Sequence, residues 1–238
     1  MVSAHSLPHR VQWSTATRRQ GVTDWHWQHS SDCFSLQWSQ PRPCLSSAVF
    51  NGGLCKARSV LNLRVSGDPV SPLLTPEQSL HQAANRLDLP GPTIGLMTSA
   101  LMASFRYRQT EYADHAIAIF LTCGLGNARR AGDPADWLGD SPTPLGTINS
   151  VLISDLQWST ASQAELLALL AEAKAAALQE MGIRSPLSGK PATGTGTDAS
   201  VIIGGHGRAE RWCGKHTKLG EIIAQLYMDA LCSSIRED

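Results

Sequence analysis

The sequence predicts an α+β fold, a single layered domain in which helices pack on a mixed β-sheet and glycine-rich loops lie at the strand ends. One observation is the length of 238 residues, 42% of them hydrophobic, which is enough for one sizeable core. Another is that segments rich in branched and aromatic residues alternate with segments of helical periodicity. Closely spaced strands come first and helices separate the later ones, which predicts early antiparallel hairpins and later crossovers, with the strand order left open.

The first half of the chain is predicted to contain several strands and one helix. Between residues 31 and 65, the segments FSLQW, CLSSAVF and VLNLRV are typical of strands, and prolines and glycines separate them. A helix is expected to begin after Thr75, because threonine can cap a helix and Pro76 suits the first helical position. Pro90 is expected to stop this helix.

The second half is predicted to add strands at SFRYRQT, HAIAIFLT and TINSVLISD, the second of them apolar on both faces. Ser162 and Glu165 match a capping box for a long helix that ends at Gly182. Another strand follows the sequence ATGTGTDA. A last, amphipathic helix is expected to begin near Thr217.

Composition narrows the range of functions. Twenty basic residues balance twenty acidic ones, which argues against binding to nucleic acid or to an anionic membrane and favours a small-molecule partner. No segment has the apolar length of a membrane span, and the first thirty residues lack the apolar centre of a secretory signal, so a cytoplasmic location is expected. Residues 1–30 are predicted to form a poorly ordered extension and residues 31–238 the domain.

The six cysteines fall in no CxxC pair and in no zinc-like pattern with histidine. We therefore expect reduced thiols and no metal site. The sequence leaves the oligomeric state open.

Five segments combine glycine and small polar residues with a short apolar run. The richest is ATGTGTDA, residues 192–199, where glycines let the backbone approach a ligand while threonine hydroxyls and backbone N–H groups offer hydrogen bonds. The others are NGG at 51–53, GLMTSA at 95–100, GLGNARRAGD at 124–133 and GTIN at 146–149. Four of the five are expected at strand ends, where ligands commonly bind.

Asp198 and His216 are the main candidates for chemistry. Asp198 follows the hydroxyl-rich loop and precedes a buried strand, so it is expected to act as a base, to orient a donor or simply to cap the turn. His216 precedes the last helix, whose N-terminus favours negative charge and suits an oxyanion or a carboxylate. Asn149 is expected either to contact an amide or to form a turn.

The chain resembles the adenosylcobinamide amidohydrolase family over roughly residues 45–231, in eight segments that occur in the same order: SAVFNGG, NLRV, GLMTSA, TCGLGNARRAGD, GTINSVL, EAKAAAL, ATGTGTDA and GKHTKLGE. The resemblance implies hydrolysis of the amide that joins the cobyric acid part of adenosylcobinamide to its aminopropanol arm. The products would be adenosylcobyric acid and aminopropanol, for corrinoid salvage into cobalamin. It also implies a cytoplasmic enzyme without a metal or a cofactor, because the corrinoid is the substrate.

A corrinoid is a large, flat, amide-fringed molecule, so its site should be rich in uncharged donors and acceptors. The residues expected to bind it are Asn51, Thr98, Asn127, Asp133, Thr147, Asn149, Thr193, Thr195 and Thr197. For catalysis, the hypothesis is that Asp198 or His216 activates water, that Glu221 supports His216 and that backbone N–H groups of ATGTGT bind the oxyanion. A covalent route through Ser99 or one of the threonines at 193, 195 and 197 is the second option.

Three other functions remain open on the sequence. The first is hydrolysis of the same amide in a related cobamide, and the second is a corrinoid-binding or carrier protein that has lost catalysis. The third is a nucleotide-binding protein that uses the threonine–glycine loop for phosphate, although the lysine and the following helix of a P-loop are missing.

Overall fold

The computed structural model describes residues 13–17, 22–65, 74–135 and 146–237. Within these ranges the three α-helices are α1 (Pro76–Arg86), α2 (Thr160–Glu180) and α3 (Lys218–Arg236). The longer strands are β1 (Trp13–Thr17), β2 (Val22–His29), β3 (Cys33–Ser46), β4 (Gly53–Arg64), β5 (Thr93–Thr98), β6 (Arg106–Tyr112), β7 (His115–Cys123), β9 (Ile148–Ser154) and β12 (Ala199–Ile203). Two-residue strands are β8 (Ala128–Arg129), β10 (Gln157–Trp158), β11 (Gly194–Thr195) and β13 (Ala209–Glu210).

The nine longer strands in the described part of the chain form one mixed sheet, which confirms the predicted α+β class. Its main path runs β1-β2-β3-β12-β9-β7-β6, and β4 pairs with β3 and with β5. The long strand β3 makes this branching possible, because its first half pairs with β2 while its last residues pair with β12. Parallel pairing joins β9 to β12 and β4 to β5.

The two parts of this sheet pack face to face. Phe34 on β3 and Val60 on β4 share one buried cluster with Phe120 on β7, Val151 on β9 and Val201 on β12. Because β7 and β9 form no hydrogen-bonded ladder with β4, their side chains meet across the space between two layers. The inner faces of both sheet parts therefore form one apolar core.

Helices cover the two outer faces. A second buried cluster packs α2 and α3 on β7, β9 and β12, with Leu170 and Tyr227 among its helical members. A third, smaller cluster packs Leu80 and Ala83 of α1 on Leu61 of β4. The molecule thus has four layers, with α2 and α3 on one side, two sheet layers in the middle and α1 on the other side.

The helix starts follow local capping rules, with one correction. The Thr75 hydroxyl caps α1 in a capping box and Pro76 occupies its first turn, as predicted. Thr217 caps α3, which confirms the predicted start of the last helix. The capping box predicted at Ser162 is wrong, because Ser159 caps α2 and accepts a hydrogen bond from the N–H of Ser162. Glu165 instead accepts a hydrogen bond from the backbone of a distant loop, at Cys213.

The sheet begins before residue 31. β2 pairs with the first half of β3, and Trp25 on β2 is fully buried in the inner core. The domain boundary predicted at residue 31 therefore falls between two paired strands. The sequence analysis missed β2 because Trp25 and Trp27 are the two apolar residues of its alternating pattern within an otherwise polar segment. This pattern is a weak signal for a strand. The rest of the predicted extension, residues 1–12 and 18–21, lies outside the described residues.

All six cysteines are free, as expected. The described residues contain no cluster of three or more histidine, cysteine or acidic side chains that could hold a metal ion. Among the helices within the described ranges, none has the length and apolar character needed to cross a membrane.

Candidate functional site

Strand pairing brings three of the five polar glycine segments together. β9 and β12 are parallel neighbours with Asn149 opposite Ala199, so the segments that enter them, 146–147 and 194–198, lie side by side. β7 runs antiparallel to β9 and ends at Cys123 opposite Ile148, so its exit loop reaches the same edge. The short ladder between β8 and β11 then ties that exit loop to Gly194 and its neighbour.

Asp198 organises this edge through four hydrogen bonds. Its Oδ1 accepts the N–H of Ile148 at 2.9 Å and also the hydroxyl of Thr195. Its Oδ2 accepts the N–H of Thr195 at 2.9 Å and Nζ of Lys174 at 2.6 Å. The side chains of Asp198 and Lys174 are only 10% and 14% exposed. Since a carboxylate offers about four acceptor positions, those of Asp198 are filled.

Lys174 is a site residue that the sequence analysis missed. It lies on α2 within the segment EAKAAAL and reaches Asp198 across 24 residues of sequence. Its sequence signal is its place in EAKAAAL, one of the eight segments that carry the family resemblance, but a lysine in an alanine-rich helix is ordinarily a solvated position.

Asn127 occupies a space that glycines leave. A Cβ added to Gly146 would lie 2.6 Å from Asn127 Oδ1, and one added to Gly196 would lie 3.2 Å from its Nδ2. The Asn127 side chain is buried, and its Oδ1 has no hydrogen-bond partner in the described part of the structure. The absence of a side chain at Gly146 and Gly196 therefore leaves the space that Asn127 occupies.

Two threonine hydroxyls face each other beside this asparagine. Thr147 Oγ1 and Thr197 Oγ1 are 2.6 Å apart, and both lie within hydrogen-bond distance of the carbonyl oxygen of Gly146. Thr147 is buried, whereas Thr197 is exposed.

A cavity of about 260 Å³ opens beside these groups, where the two sheet layers separate. We call it the Asp198 cavity. β5 lines it with Leu96 and Met97, and the N-terminus of α1 lines it with Pro76. Its remaining described lining is Ser47, Val49, Asn149, Thr197, Asp198 and Ala199. Asp198 is the one acidic or basic side chain in this described lining.

Asn149 forms a buried part of the cavity wall. Its Nδ2 donates to the carbonyl oxygen of Met97 at 2.8 Å and to Asn62 Oδ1 at 2.9 Å. Asn62 Nδ2 in turn donates to Thr122 Oγ1 at 2.9 Å, which links the two sheet layers. Asn149 Oδ1 is buried and has no hydrogen-bond partner within the described residues. Asn62 and Thr122 were not predicted, and their signal is a polar residue inside the apolar strands VLNLRV and HAIAIFLTC.

A buried tyrosine lies behind the site. Burial raises the pKa of the Tyr227 hydroxyl on α3 well above its ordinary value, the nearby Asp198 carboxylate raises it further, and a hydrogen bond with Ser150 opposes both effects. Tyr227 therefore stays neutral at physiological pH. It packs α3 against the outer face of β9.

Of the nine predicted substrate-binding residues, Asn149 and Thr197 belong to the described lining of the cavity and seven do not. Three of the seven, Asn127, Thr147 and Thr195, lie in the segments beside it, and the other four support loops. Asn51 has a left-handed backbone with φ of 53° and donates to the carbonyl of Thr93, as a turn residue does. Thr98 accepts the N–H of Ala100, and Thr193 accepts the N–H of Ala131.

Asp133 is the fourth of these residues. It accepts hydrogen bonds from the Ser185 hydroxyl at 2.5 Å and from the N–H of Arg130 at 2.9 Å. Hydrogen bonds from Ser185 and Ser188, together with the one from Arg130, lower the pKa of Asp133 to about 2. This carboxylate joins the loop after β8 to the turn after α2.

His216 and Glu221 lie apart from the Asp198 cavity. His216 lines a different cavity of about 350 Å³ with Glu165, Glu172 and Lys215, and the two cavities share no described residue. Glu221 pairs with Lys218 at 2.8 Å, and no hydrogen bond between Glu221 and His216 is found within the described ranges. The structure therefore does not bring the three predicted catalytic residues together.

Comparison with known proteins identifies the family. The family model for adenosylcobinamide amidohydrolase matches residues 16–238. An uncharacterized protein of Methanocaldococcus jannaschii, MJ1613, is 33% identical over 162 residues, a match that covers 61% of this chain and 64% of that protein. A solved structure, the PH0078 protein of Pyrococcus horikoshii, matches over 95% of this chain and 82% of that one, but at 11% identity and a TM-score of 0.39 it supports no inference. The match over almost the whole sequence places the chain in the adenosylcobinamide amidohydrolase family.

Proposed function

We propose that the protein hydrolyses the amide between the cobyric acid part and the aminopropanol arm of adenosylcobinamide, and that it does so at the Asp198 cavity. Family membership supports the reaction. The observation that carries the choice of site is Asn149 Oδ1, a buried acceptor without a partner in the wall of a cavity that also holds a carboxylate. An amide substrate supplies the N–H that such an acceptor lacks.

Asp198 is proposed to take the proton of the attacking water. Water adds its oxygen to the acyl carbon, the proton passes from Asp198 to the nitrogen of the tetrahedral intermediate, and the C–N bond breaks to release the neutral amine. Because all the acceptor positions of the Asp198 carboxylate are filled, the attacking water must replace one of the groups that donate to it. The Thr195 hydroxyl is the donor best able to leave, since a hydroxyl rotates while the N–H groups of Ile148 and Thr195 are fixed by the backbone.

Lys174 is proposed to balance the negative charge of Asp198, and the loop backbone is proposed to stabilise that of the tetrahedral oxyanion. Lys174 Nζ balances Asp198 and remains beside it when the proton moves. The exposed residues Gly196 and Thr197 offer N–H groups for the tetrahedral oxyanion, whereas the N–H of Thr195 is already used by Asp198. A covalent route through the Thr197 hydroxyl is the second option, because Thr197 lines the cavity while Thr193 does not.

His216 is a weaker candidate for the base. The cavity it lines contains Glu165, Glu172 and Lys215, and no buried side-chain atom without a partner is found among its described residues. The absence of a cofactor and the cytoplasmic location stay predictions from the sequence.

The test is incubation of the purified protein with adenosylcobinamide, with both products followed by mass spectrometry. Adenosylcobyric acid and aminopropanol should appear in equal amounts. The variant Asp198→Asn should lose turnover, and His216→Gln should retain it. Asp229→Asn is the matched control, because that aspartate is 66% exposed on α3 and pairs with Arg108.

The other outcomes separate the rival functions. Corrinoid binding without product would favour a carrier protein, and cleavage of a complete cobamide in preference to adenosylcobinamide would favour the related hydrolase. Stronger thermal stabilisation by ATP or GTP than by corrinoid would favour a nucleotide site, since a ligand that binds the folded state raises the unfolding temperature. Loss of turnover in His216→Gln with retention in Asp198→Asn would move the reaction to the second cavity.

A further inference from the structure

The size of the Asp198 cavity limits what can enter it. Its volume is about 260 Å³. Pockets that enclose a drug-sized ligand measure about 300–1,000 Å³, and a corrin macrocycle with its adenosyl group is larger than such a ligand. If the proposed function holds, a side arm of the corrinoid enters the cavity while the macrocycle stays outside its mouth.

Asn149 can offer this arm only one kind of hydrogen bond. Its Nδ2 is used twice, by the carbonyl of Met97 and by Asn62 Oδ1. The Met97 carbonyl cannot donate, so this contact fixes which end of the Asn149 amide is nitrogen. Asn62 is oriented by Asn149 in turn, because its Oδ1 must face the Asn149 Nδ2 donor, which leaves its Nδ2 to donate to the Thr122 hydroxyl. Asn149 Oδ1 is therefore an oriented acceptor, because β4 and β5 of the opposite sheet layer fix the amide through Asn62 and Met97.

We propose that Asn149 Oδ1 accepts a hydrogen bond from the N–H of the scissile amide and thereby selects a secondary amide with its amine side deepest in the cavity. This inference rests on the proposed function. The bond persists through the reaction, because the nitrogen keeps its hydrogen and gains a proton before it leaves. The nitrogen carries positive charge in the tetrahedral intermediate after it is protonated and before the C–N bond breaks, which strengthens the bond, so Asn149 favours this intermediate as well as the bound substrate.

Asn62 and Thr122 act through Asn149 as positioning residues. They do not line the cavity, and their hydrogen bonds hold the Asn149 amide in one orientation. Because Oδ1 is buried, ligand binding requires a small shift of the lining. Met97 is the neighbour best suited to give way, since it is only partly buried and methionine side chains adapt their shape.

The experiment compares adenosylcobinamide with an analogue in which an ester oxygen replaces the N–H of the scissile amide. Dissociation constants are measured by stopped-flow corrin absorbance before turnover. The wild-type protein should bind the ester about tenfold to a hundredfold more weakly, because the analogue leaves the acceptor unpaired and places a second oxygen against it. In Asn149→Ala this ratio should fall to near one.

Folding defects are separated from recognition by the ratio itself, because a loss of structure weakens the amide and the ester alike. The variant Thr122→Val is nearly isosteric, removes only the acceptor for Asn62 Nδ2 and should give an intermediate ratio. Asn85→Ala, on the exposed face of α1, is the control and should keep the wild-type ratio.

The failures of the two proposals are distinguishable. Hydrolysis of adenosylcobinamide with equal binding of amide and ester would overturn the role of Asn149 and leave the proposed function intact. Binding that discriminates amide from ester without any hydrolysis would support the role of Asn149 and overturn the catalytic proposal. Absence of corrinoid binding would overturn both.

Discussion

Removing the Asp198 carboxylate should destabilise the fold as well as abolish turnover. In Asp198→Ala, the N–H groups of Ile148 and Thr195, the Thr195 hydroxyl and Lys174 Nζ all lose their acceptor. Lys174 is 14% exposed at its side chain, so it is left as a largely buried cation without its partner. The substitution therefore creates several of the defects that produce large stability losses in point variants.

The expected magnitude follows from the burial of this pair. Removing one partner of a buried ion pair costs about 3–5 kcal/mol, and we expect Asp198→Ala to lower the free energy of unfolding by about that amount. At about 2–4 °C per kcal/mol for a domain of this size, the unfolding temperature should fall by about 6–20 °C. Adding Lys174→Met should recover part of the loss, because it removes the uncompensated charge.

The assay is urea unfolding, monitored by circular dichroism, and the control residue lies on α2, the helix that carries Lys174. Glu172 lies two residues before Lys174 and pairs with Lys215, but these side chains are 54% and 69% exposed. Glu172→Ala should change the free energy of unfolding by less than about 1 kcal/mol, as exposed pairs do. If Asp198→Ala and Glu172→Ala had equally small effects, the structural account of Asp198 would be refuted.

Three further predictions concern the surroundings of the site. A hydrogen bond from the Cys44 thiol lowers the pKa of Cys55 to about 7, so iodoacetamide should alkylate Cys55 unusually fast at pH 7. The rate of alkylation, followed by peptide mass spectrometry, should fall in Cys44→Ala, and an unchanged rate would contradict this prediction. Asp133, with its pKa lowered to about 2, should stabilise the fold fully above about pH 4 and progressively less toward pH 2; in thermal unfolding, the deficit of Asp133→Asn should be largest at neutral pH, and a gap that widened in acid would refute this sign. Gly146→Ala would bring a Cβ to 2.6 Å from Asn127 Oδ1, which should cost about 1–3 kcal/mol in urea unfolding and reduce turnover, whereas wild-type behaviour would mean that the loop adapts freely.

The parts of the fold that the sequence predicts correctly are the local ones. Thr75 and Pro76 specify the start of α1 within a few residues of chain, and the continuous apolar run HAIAIFLT specifies a strand buried on both faces. The capping error at Ser162 shows the limit of such signals, because Ser159 is an equally good cap three residues earlier. The four-layer arrangement depends on pairings between distant strands, for which one sequence holds no direct signal.

In the candidate site, too, local features are predictable from the sequence and contacts between distant segments are not. The loop at 194–198 and the residues Asn149 and Thr197 are recognisable because glycine, threonine and asparagine cluster beside apolar strands. Lys174, Asn62 and Thr122 lie in segments that carry the family resemblance, but their roles cannot be predicted from the sequence, because each lies inside a regular helix or strand and acquires its role from a contact 24 to 87 residues away. His216 is predicted from its place before the N-terminus of the last helix, and the packing of α2 and α3 places it at a different cavity.

The contacts also assign different tasks to the loop and to the strands. The glycine–threonine loop suggests a ligand-binding segment, yet its main hydrogen bonds are made within the protein: Asp198 binds Thr195 in the same loop, and Thr197 binds Thr147 in the segment that precedes β9. The acceptor that we propose for the substrate is on β9, in Asn149, and its orientation is fixed by Met97 and Asn62 from the opposite sheet layer. A hydrogen bond that crosses the two layers would make the proposed recognition depend on their packing, because a shift of one layer over the other would turn the Asn149 amide. Substitutions in the inner core should for this reason weaken discrimination of the amide N–H before they unfold the protein, and substitutions in the loop should weaken stability and turnover together.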